Sequence, residues 1–432
     1  MTGIATGTRP RFDDPKVVWS WAMYDWANSA FTTLVVTFIY SFYFTNSFFS
    51  DENTGTLWWS RAVIVSSILT ALASPVFGAA ADRGGTRKRF LFISTAMCVA
   101  ATTVLTFISP TMANGPLIAL AVFVVADISF EIGNVFYNAF LPSIASPERI
   151  GRVSGWGWGL GYVGGTLCML VALVAFVSDA PWFGMSKEGA WNVRATNLLV
   201  AGWFLLFSLP LFLVVPETRT GAARISMKAA FVELRQTATN IRRYRELVRF
   251  LVARLVFNDG LVTVFSFGSI YASKVFGMTL SEVIVFGIVL NVTSGLGAFL
   301  FGSIDDRIGG KKTIMISLVM MTVATGMAVW APTKEWFWAS GVLLGIFVGP
   351  NQSASRSLMG RFVPANRQSE FFGFFAFSGK ATAFMGPFLM GQLTSTFSSH
   401  RVGMASVILF FIVGGILLVS VDERKGRAAA NE

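Results

Sequence analysis

The sequence predicts an all-α membrane protein with twelve transmembrane helices in two pseudo-symmetric six-helix bundles. Of its 432 residues, 54% are hydrophobic and only 13% are charged, and the mean hydropathy of +0.62 is far above that of soluble domains. A second observation is a series of apolar stretches separated by turn signals, and a third is a loop motif that occurs once in each half. A transmembrane barrel is disfavoured because its strands alternate polar and apolar residues, whereas 91–108 and 407–421 are almost wholly apolar.

The apolar stretches are long enough to cross a bilayer, since a hydrocarbon core of about 30 Å requires about 20 helical residues. The first stretch follows a basic N-terminus without a small-residue cleavage site, so we expect it to be retained as a span. The predicted spans are 19–46, 58–81, 90–109, 116–140, 153–177, 195–215, 248–272, 282–304, 313–331, 336–360, 371–395 and 402–421. We therefore expect an N-terminal bundle over 1–215, a linker over 216–247 and a C-terminal bundle over 248–432.

The distribution of basic residues predicts the orientation. Of the 34 Lys and Arg residues, 24 lie in the N-terminus and the loops on its side, five lie in the loops on the other side, and five lie within or at the edges of spans. Because cytoplasmic loops carry the excess of Lys and Arg, we expect both termini to be cytoplasmic. The expected membrane is a bacterial cytoplasmic membrane. Topology thus explains the net charge of +11, so nucleic acid is not an expected partner.

The linker has the spacing of an amphipathic helix, with basic residues on the other faces. A plain tether remains the alternative. The apolar positions at helical spacing are Met227, Phe231, Leu234, Ile241, Tyr244 and Val248.

The repeated motif follows the pattern G-x-x-x-D-R-x-G-x-[RK]-[RK], at 78–88 and again at 302–312. Each copy links the second and third spans of its half. Asp82 and Asp306 lie near the C-terminal ends of helices, where the helix dipole disfavours an anion, so each needs an external partner. The opposite half could supply an arginine or a helix N-terminus. We expect these acids, with the adjacent Arg83 and Arg307, to form a gate.

This pair of loops resembles the signature loops of the major facilitator superfamily. In that superfamily the loops close the cytoplasmic side in one conformation, and two six-helix halves rock about a site at the midplane. The resemblance extends over essentially the whole chain and implies this fold and this mechanism.

Six more specific strings lie in the predicted spans: WAMYDWANSAF at 21–31, FYNAFLP at 136–142, NDG at 258–260, QSASRS at 352–357, EFFGF at 370–374 and SGK at 378–380. Together they resemble the vacuolar amino-acid effluxer family linked to autophagy and its bacterial permease relatives. The family resemblance implies export of amino acids or related small solutes. The fourth span has acids where sugar and drug carriers often have an arginine, and the fifth lacks the Gly-Pro pair of many drug antiporters, so a drug pump is less attractive.

Polar residues within the spans mark the candidate site, because charges in a bilayer interior are costly and should face a cavity or a partner. On the fourth span, Asp127, Glu131, Asn134 and Asn138 follow at intervals that place them on one helical face. We expect three helices to bring polar groups to one level near the midplane. Besides this stripe, the polar residues are Asp25 and Asn28 in the first span and Asn258 and Asp259 in the seventh.

Several carboxylates with few fixed cations favour protonation of some of them. We therefore expect Asp127 or Glu131 to carry a coupled proton, while Asp25 and Asp259 organise the two halves. A purely structural role, with buried acids bonded to Asn and backbone groups, is the alternative.

Lys380 is the amine deepest in a span, and it needs an anionic partner. That partner is either Asp259 or another acid in a permanent pair, or a substrate carboxylate. Gln352 joins the candidate binding residues on the tenth span, and Arg356, near the cytoplasmic end of that span, is expected to make a gate contact.

Enzymatic chemistry is disfavoured. The single histidine, His400, and two distant cysteines give no basis for a metal site or a catalytic triad. The sequence predicts a monomeric carrier in a lipid bilayer. Its expected partners are small-molecule substrates and protons, and no cofactor is expected. The alternatives are a drug or sugar carrier of the same fold, or a membrane receptor or scaffold without transport.

Overall fold

The computed structural model describes residues 12–178, 180–217, 227–239 and 241–431, and over these ranges the chain is helical without strands. The basic residues Arg9, Arg11, Arg219 and Arg224 lie outside the described residues.

Twelve elements follow the predicted spans, and we number them α1 to α12. A linker helix, Met227–Thr239, lies between α6 and α7, and a C-terminal helix, Glu423–Asn431, follows α12. The elements are α1 (Pro15–Ala30, continued by the π-helix Phe31–Phe38 and by Tyr40–Ser47), α2 (Glu52–Gly84), α3 (Arg87–Leu105), α4 (Gly115–Ile144), α5 (Ile150–Ala172, continued by the π-turn Leu173–Val177), α6 (Thr196–Val214), α7 (Arg245–Phe276), α8 (Leu280–Ile308), α9 (Gly310–Trp330), α10 (Lys334–Phe362), α11 (Gln368–Lys380 and Met385–Phe397) and α12 (His400–Val419).

Ten helices in the described part of the chain are long and apolar enough to cross a membrane. The other two elements are α10, which carries Arg356 and Arg361, and α11, which is divided into two segments of 13 residues each. Large apolar side chains cover the outer surface, such as Leu213, Leu300 and Ile416, each exposed by more than half. Apolar patches of this extent are rare on proteins surrounded by water, so lipid acyl chains are expected to cover this surface.

Each half contains a large hydrophobic cluster. In the first half the cluster includes Trp21, Tyr24 and Phe136, all buried. The cluster of the second half includes Phe250 and Leu318, and it also contains Val135 and Ala139 of α4. Apolar packing therefore crosses the boundary between the halves, in addition to the specific contacts described below.

The eleventh span is broken, whereas the sequence predicts a continuous helix over 371–395. Turns replace the helix at 381–384, where the amide of Met385 bonds to the carbonyl of Thr382 at 2.7 Å. Pro387 is the local cause, because it has no N–H for the carbonyl of Ala383 and its ring clashes with that carbonyl in a regular helix. We call the two segments α11a and α11b.

Both ends of the described chain lie at one end of the bundle. The amide of Asp13 bonds to the carbonyl of Ile144 at the end of α4 (2.9 Å), and the amine of Lys311 bonds to the carbonyl of Val421 (2.6 Å). We call this end, which also holds the two copies of the repeated motif, the basic end.

Close packing within the C-terminal half depends on glycine at the contact of α8 with α10. A Cβ added at Gly297 would lie 2.0 Å from the carbonyl oxygen of Ile346, whereas a Cβ at Gly268 would meet no atom within 4 Å. We expect Gly297→Ala to lower the free energy of unfolding by about 1–3 kcal/mol through overpacking. The matched control Gly268→Ala should be neutral or slightly stabilising. Thermal unfolding of the purified variants checks this, and equal melting temperatures for both variants would contradict the packing argument.

Candidate functional site

The polar face of α4 points toward α1, α2 and the second half of the protein. Asp127 is buried, 5% exposed, and its carboxylate accepts a hydrogen bond from the hydroxyl of Ser66 on α2. One turn and two turns further along, Glu131 and Asn134 reach different neighbours. Asn134 accepts a bond from Asn28 of α1 at 3.0 Å, which ties the two helices within the first half.

Glu131 and Lys380 form an ion pair between the two halves. The amine of Lys380, the last residue of α11a, lies 2.7 Å from a carboxylate oxygen of Glu131, and the two side chains are 27% and 19% exposed. The acid that pairs with Lys380 is therefore Glu131, and the pair with Asp259 that the sequence left open is not formed. Both side chains of this pair therefore remain partly accessible.

Asn258 and Asp259 of α7 lie beside the break of α11. The amide of Asn258 donates to the carbonyl of Gly379 at 3.0 Å, and the hydroxyl of Thr382 donates to the carboxylate of Asp259 at 3.1 Å. Because Gly379 and Thr382 flank Lys380, these two residues support the segment that carries the amine.

Arg254, one turn before Asn258, also bonds to α11a. Its guanidinium donates to the carbonyl of Phe375 at 3.0 Å and to the hydroxyl of Ser378 at 2.9 Å. It also stacks on the ring of Phe375, with 3.7 Å to the centroid. Arg254 therefore holds α11a within the C-terminal half.

Asp25 lies in a second ion pair between the halves, which is nearer to the basic end. Its carboxylate is 2.8 Å from the guanidinium of Arg356 on α10. Arg356 also donates to the carbonyl of Ser154 on α5 at 2.7 Å and to Asn138 at 3.2 Å. Its guanidinium lies over the ring of Trp21, 4.9 Å from the centroid. A single side chain from the second half thus joins three helices of the first half.

The expectation that Asp25 and Asp127 share one level is wrong. Asp25 contacts Arg356, which also contacts Asn138, and Asn138 is eleven residues further along α4 than Asp127, or about 16 Å at 1.5 Å per residue. In the sequence-based prediction, the depth of each residue is counted from the predicted ends of its span. That count misplaced Asp25 relative to Asp127 because α4 extends over 30 residues, which is longer than the bilayer core requires. Asp259, by contrast, lies at the level of Lys380, as its bond to Thr382 requires.

The acid of each repeated motif meets the start of a helix in the other half. Asp82 accepts from the amide of Glu370 in the first turn of α11a at 2.8 Å. Asp306 accepts from the amides of Gly151 and Arg152 in the first turn of α5 at 2.8 and 3.2 Å. Helix N-termini carry unsatisfied N–H groups and the positive end of the helix dipole. Each acid, which lies at the unfavourable C-terminal end of its own helix, is therefore stabilised by the N-terminus of a helix in the other half.

Arginines reinforce both junctions. Arg87 is 3.2 Å from Asp82 and donates to Gln368 and Ser369 of α11a at 2.8 and 2.9 Å. Arg361 pairs with Asp305 at 2.6 Å and approaches Asp306 at 3.6 Å.

The three remaining predicted site residues are Arg83, Arg307 and Gln352. Arg83 is half-buried beside Asp82, and Arg307 is exposed at the basic end. Gln352 is half-buried on α10, four residues before Arg356.

The sequence reasoning missed Asp305, Arg361 and Ser66. Asp305 and Arg361 are a buried pair in which both side chains are 2% exposed. An alignment of the two motif copies contained the signal, because Asp305 occupies the position of Ala81 in the first copy. No comparable signal marked Ser66, which is one of many hydroxyl residues in the spans.

Glycines allow the halves to touch along the basic side of the membrane. A Cβ at Gly78 would lie 2.2 Å from the carbonyl oxygen of Ser369, and one at Gly155 would lie 2.4 Å from that of Ala298. In the described part of the chain, the hydrogen bonds and ion pairs between the two six-helix halves all lie between the Glu131–Lys380 pair and the basic end. The structure is therefore closed at the basic end.

The linker helix also contacts the closed basic end, at α2 and α11a. Ala230 is fully buried and packs against Ala79 and Ala80 of α2, while the hydroxyl of Thr237 bonds to the carboxylate of Glu370 on α11a. Phe231 remains 59% exposed. The side chains of Met227 and Ile241 lie outside the described part of the linker, so the predicted apolar face is seen only in part.

Comparison with known proteins agrees with this geometry. Residues 60–431 match the family described as vacuole effluxer Atg22 like. An uncharacterized MFS-type transporter of Bacillus subtilis, YxiO, is 28% identical over 415 residues, which cover 94% of this chain and 94% of that protein. Autophagy-related protein 22-1 of Neosartorya fischeri is 22% identical over 65% of this chain, and the match spans only 49% of that protein.

Solved structures show the same fold at low identity. The human organic anion transporter MFSD10 superimposes with a TM-score of 0.71 at 12% identity, over 94% of this chain and all of that one. The proton:xylose symporter XylE gives 0.74 at 13% identity, over 95% and 96%. The predicted fold class is thereby confirmed, and so is the expectation of a transporter rather than an enzyme. This chain is a multi-pass integral membrane protein of the major facilitator fold, and it belongs to the Atg22-like vacuole effluxer family.

Proposed function

We propose that this protein is a secondary active transporter of small solutes, with amino acids or related metabolites as its substrates, and that it works by proton-coupled alternating access. The observation that carries the proposal is the partly exposed Glu131–Lys380 pair, which joins the two halves at the innermost point of the closed end. The basic end would face the bacterial cytoplasm, following the excess of Lys and Arg at that side. The family description favours export, and we expect the protein to act as a monomer.

An amino-acid zwitterion matches this pair chemically. Its carboxylate would take the place of Glu131 against Lys380, and its ammonium would bind Glu131. The exchange leaves no charge unpaired, which matters because breaking a buried ion pair by removing one partner costs several kcal/mol. It also replaces a direct bridge between the halves with one through the solute, so substrate binding and the movement of the halves are linked.

The surroundings of Asp127 support proton coupling. Asp127 and Glu131 are one turn apart on the same face of α4, and Lys380 pairs with Glu131, whereas Asp127 accepts a hydrogen bond from the neutral hydroxyl of Ser66. Without an ion pair, the ionised form of Asp127 is disfavoured inside the membrane, and protonation would remove its charge. The alternating exposure of this cluster would then carry a proton.

Substitutions at the pair test the substrate site. We expect Glu131→Gln and Lys380→Ala to lower amino-acid uptake into proteoliposomes by an order of magnitude or more, because each leaves a charge without its partner. The matched control is Lys274→Ala, which removes an exposed amine at the end of α7 and should leave uptake unchanged. Uptake by Lys380→Ala at the rate of the unmodified protein would reject the site. Uptake of sugars or drugs, but not of amino acids, would reject the substrate class.

The proton role predicts a separation of uptake from proton flux. We expect Asp127→Asn to retain downhill exchange of substrate but to lose the substrate-driven change in the pH of the lumen, since the amide cannot carry the proton. A pH-sensitive dye in the proteoliposomes measures this. Full proton movement in both Asp127→Asn and Glu131→Gln would contradict the assignment.

The gate predicts a change in backbone protection. We expect Asp306→Asn to increase hydrogen–deuterium exchange of the amides in the first turn of α5, because the carboxylate that accepts from Gly151 and Arg152 becomes a neutral amide. The control Asp51→Ala removes the N-cap side chain of α2 at the other end of the bundle, and it should affect only the start of α2. An unchanged exchange rate at 150–153 in Asp306→Asn would show that this contact does not stabilise the closed end.

A further inference from the structure

A second buried carboxylate lies at the break of α11, apart from the Glu131–Lys380 pair. Asp259 of α7 is 2% exposed, and the hydroxyl of Thr382 donates to it from within the broken segment. The contact is close, since a Cβ at Gly386 of α11b would lie 2.7 Å from the backbone carbonyl of Asp259. The end of α11a, the start of α11b and this acid therefore meet at one point.

The basic side chains nearest in sequence to this point have other partners. Arg254, on the same helix as Asp259, donates to two neutral groups, the carbonyl of Phe375 and the hydroxyl of Ser378, and it forms no ion pair with Asp259. Lys380 of α11 pairs with Glu131.

The other packed elements supply no counter-charge either. From α12, Phe410 and Phe411 face the neighbouring Gly260, and the two arginines of α10 are engaged by Asp25 and Asp305. Within the part of the chain that the structure describes, no Lys or Arg forms an ion pair with Asp259.

An ionised carboxylate without a counter-charge is strongly disfavoured at this depth in a bilayer. A neutral hydroxyl donor does not remove the charge. A proton or a small metal cation bound directly to Asp259 would neutralise it in the closed form seen here.

The break in α11 supplies further oxygen ligands of the kind that bind small cations. The carbonyl of Ala383 receives no helical hydrogen bond from position 387, because that residue is a proline without an N–H. Discontinuous membrane helices, with freed carbonyls beside an acid, are the sites at which transporters bind Na⁺ or H⁺. Thr382 contributes its hydroxyl oxygen to the same segment.

We propose that Asp259, Thr382 and the unwound segment 381–384 form a binding site for a small monovalent cation, H⁺ or Na⁺. The site is separate from the acid cluster on α4. Occupation neutralises Asp259 and fixes the angle between α11a and α11b. Lys380 is two residues from Thr382, so the cation sets the position of the amine that pairs with Glu131. The presence of the site does not depend on the proposed substrate, and only its coupling role rests on the proposed function.

Cation binding to the purified full-length protein tests the site without a transport assay. The melting temperature is measured in NaCl and in choline chloride at equal ionic strength, at about pH 5.5 and pH 8.5. If the cation is Na⁺, we expect Na⁺ to raise the melting temperature, most of all at the higher pH where protons do not compete, and ²²Na⁺ to bind. If it is H⁺, we expect no effect of Na⁺, but a protonated carboxyl band in the infrared spectrum.

The variants assign the response to Asp259. Asp259→Asn should abolish the Na⁺ response or remove one protonated carboxyl band. Thr382→Val keeps the acid and should weaken Na⁺ binding, or shift that band, by removing the hydroxyl; it serves if Asp259→Asn does not fold. The matched control Asp127→Asn removes a buried acid of the other half that is also bonded to a hydroxyl, and it should keep the Na⁺ response or the Asp259 band.

Two outcomes would overturn the proposal. One is a Na⁺ response that persists unchanged in Asp259→Asn. The other is the absence of any Na⁺ response together with a carboxyl band that is identical in the unmodified protein and in Asp259→Asn. A loss of proton coupling in Asp127→Asn alone bears only on the proposed function, so the two failures can be told apart.

Discussion

The cost of an unpaired charge away from water is the constraint on which this structure depends. The first half carries Asp25, Asp127 and Glu131 within its helices, and the second half carries Arg356 and Lys380. Because two of these acids find their cations only across the boundary between the halves, the same interactions that make the charges tolerable also hold the basic end shut. Separating the halves at that end would leave these charges without their present partners.

The two junctions at the basic end follow one design with different details. In each, an acid at the end of a helix accepts hydrogen bonds from the first turn of a helix in the opposite half. The first junction adds Arg87, the first residue of α3. The second adds Arg361 from the end of α10, with Asp305 as an additional acid. The repeat thus conserves the electrostatics of the closure within one chain, while the arginine that reinforces it comes from different places.

Helix α11 connects these features along a single element. An amide in its first turn donates to Asp82, its segment α11a ends at Lys380, and its break lies against Asp259. A tilt of α11a would change the basic-end junction, the ion pair between the halves and the contact with α7 together. The short break at 381–384 allows this without a movement of α11b, which packs on α7 and α12 of its own half.

The sequence by itself determined the class of protein and the inventory of groups that carry charge in the membrane. Apolar windows of fixed length and a repeated motif depend only on local composition and spacing, so the helices and the two motif acids, Asp82 and Asp306, with their need for an external partner could be predicted from them. Partners across the halves could not, because they depend on how two bundles dock. The sequence therefore left Lys380 with more than one possible acid and placed Asp25 at the level of Asp127.

Only the tertiary structure assigned Lys380 to Glu131 and Asp25 to Arg356, since helix lengths beyond the bilayer core shift the true depth of every residue. The break of α11 also needed the structure. A proline at position 387 is compatible with a kinked helix as well as with a broken one, and the bonds from Asn258 and Thr382 are what stabilise the broken form.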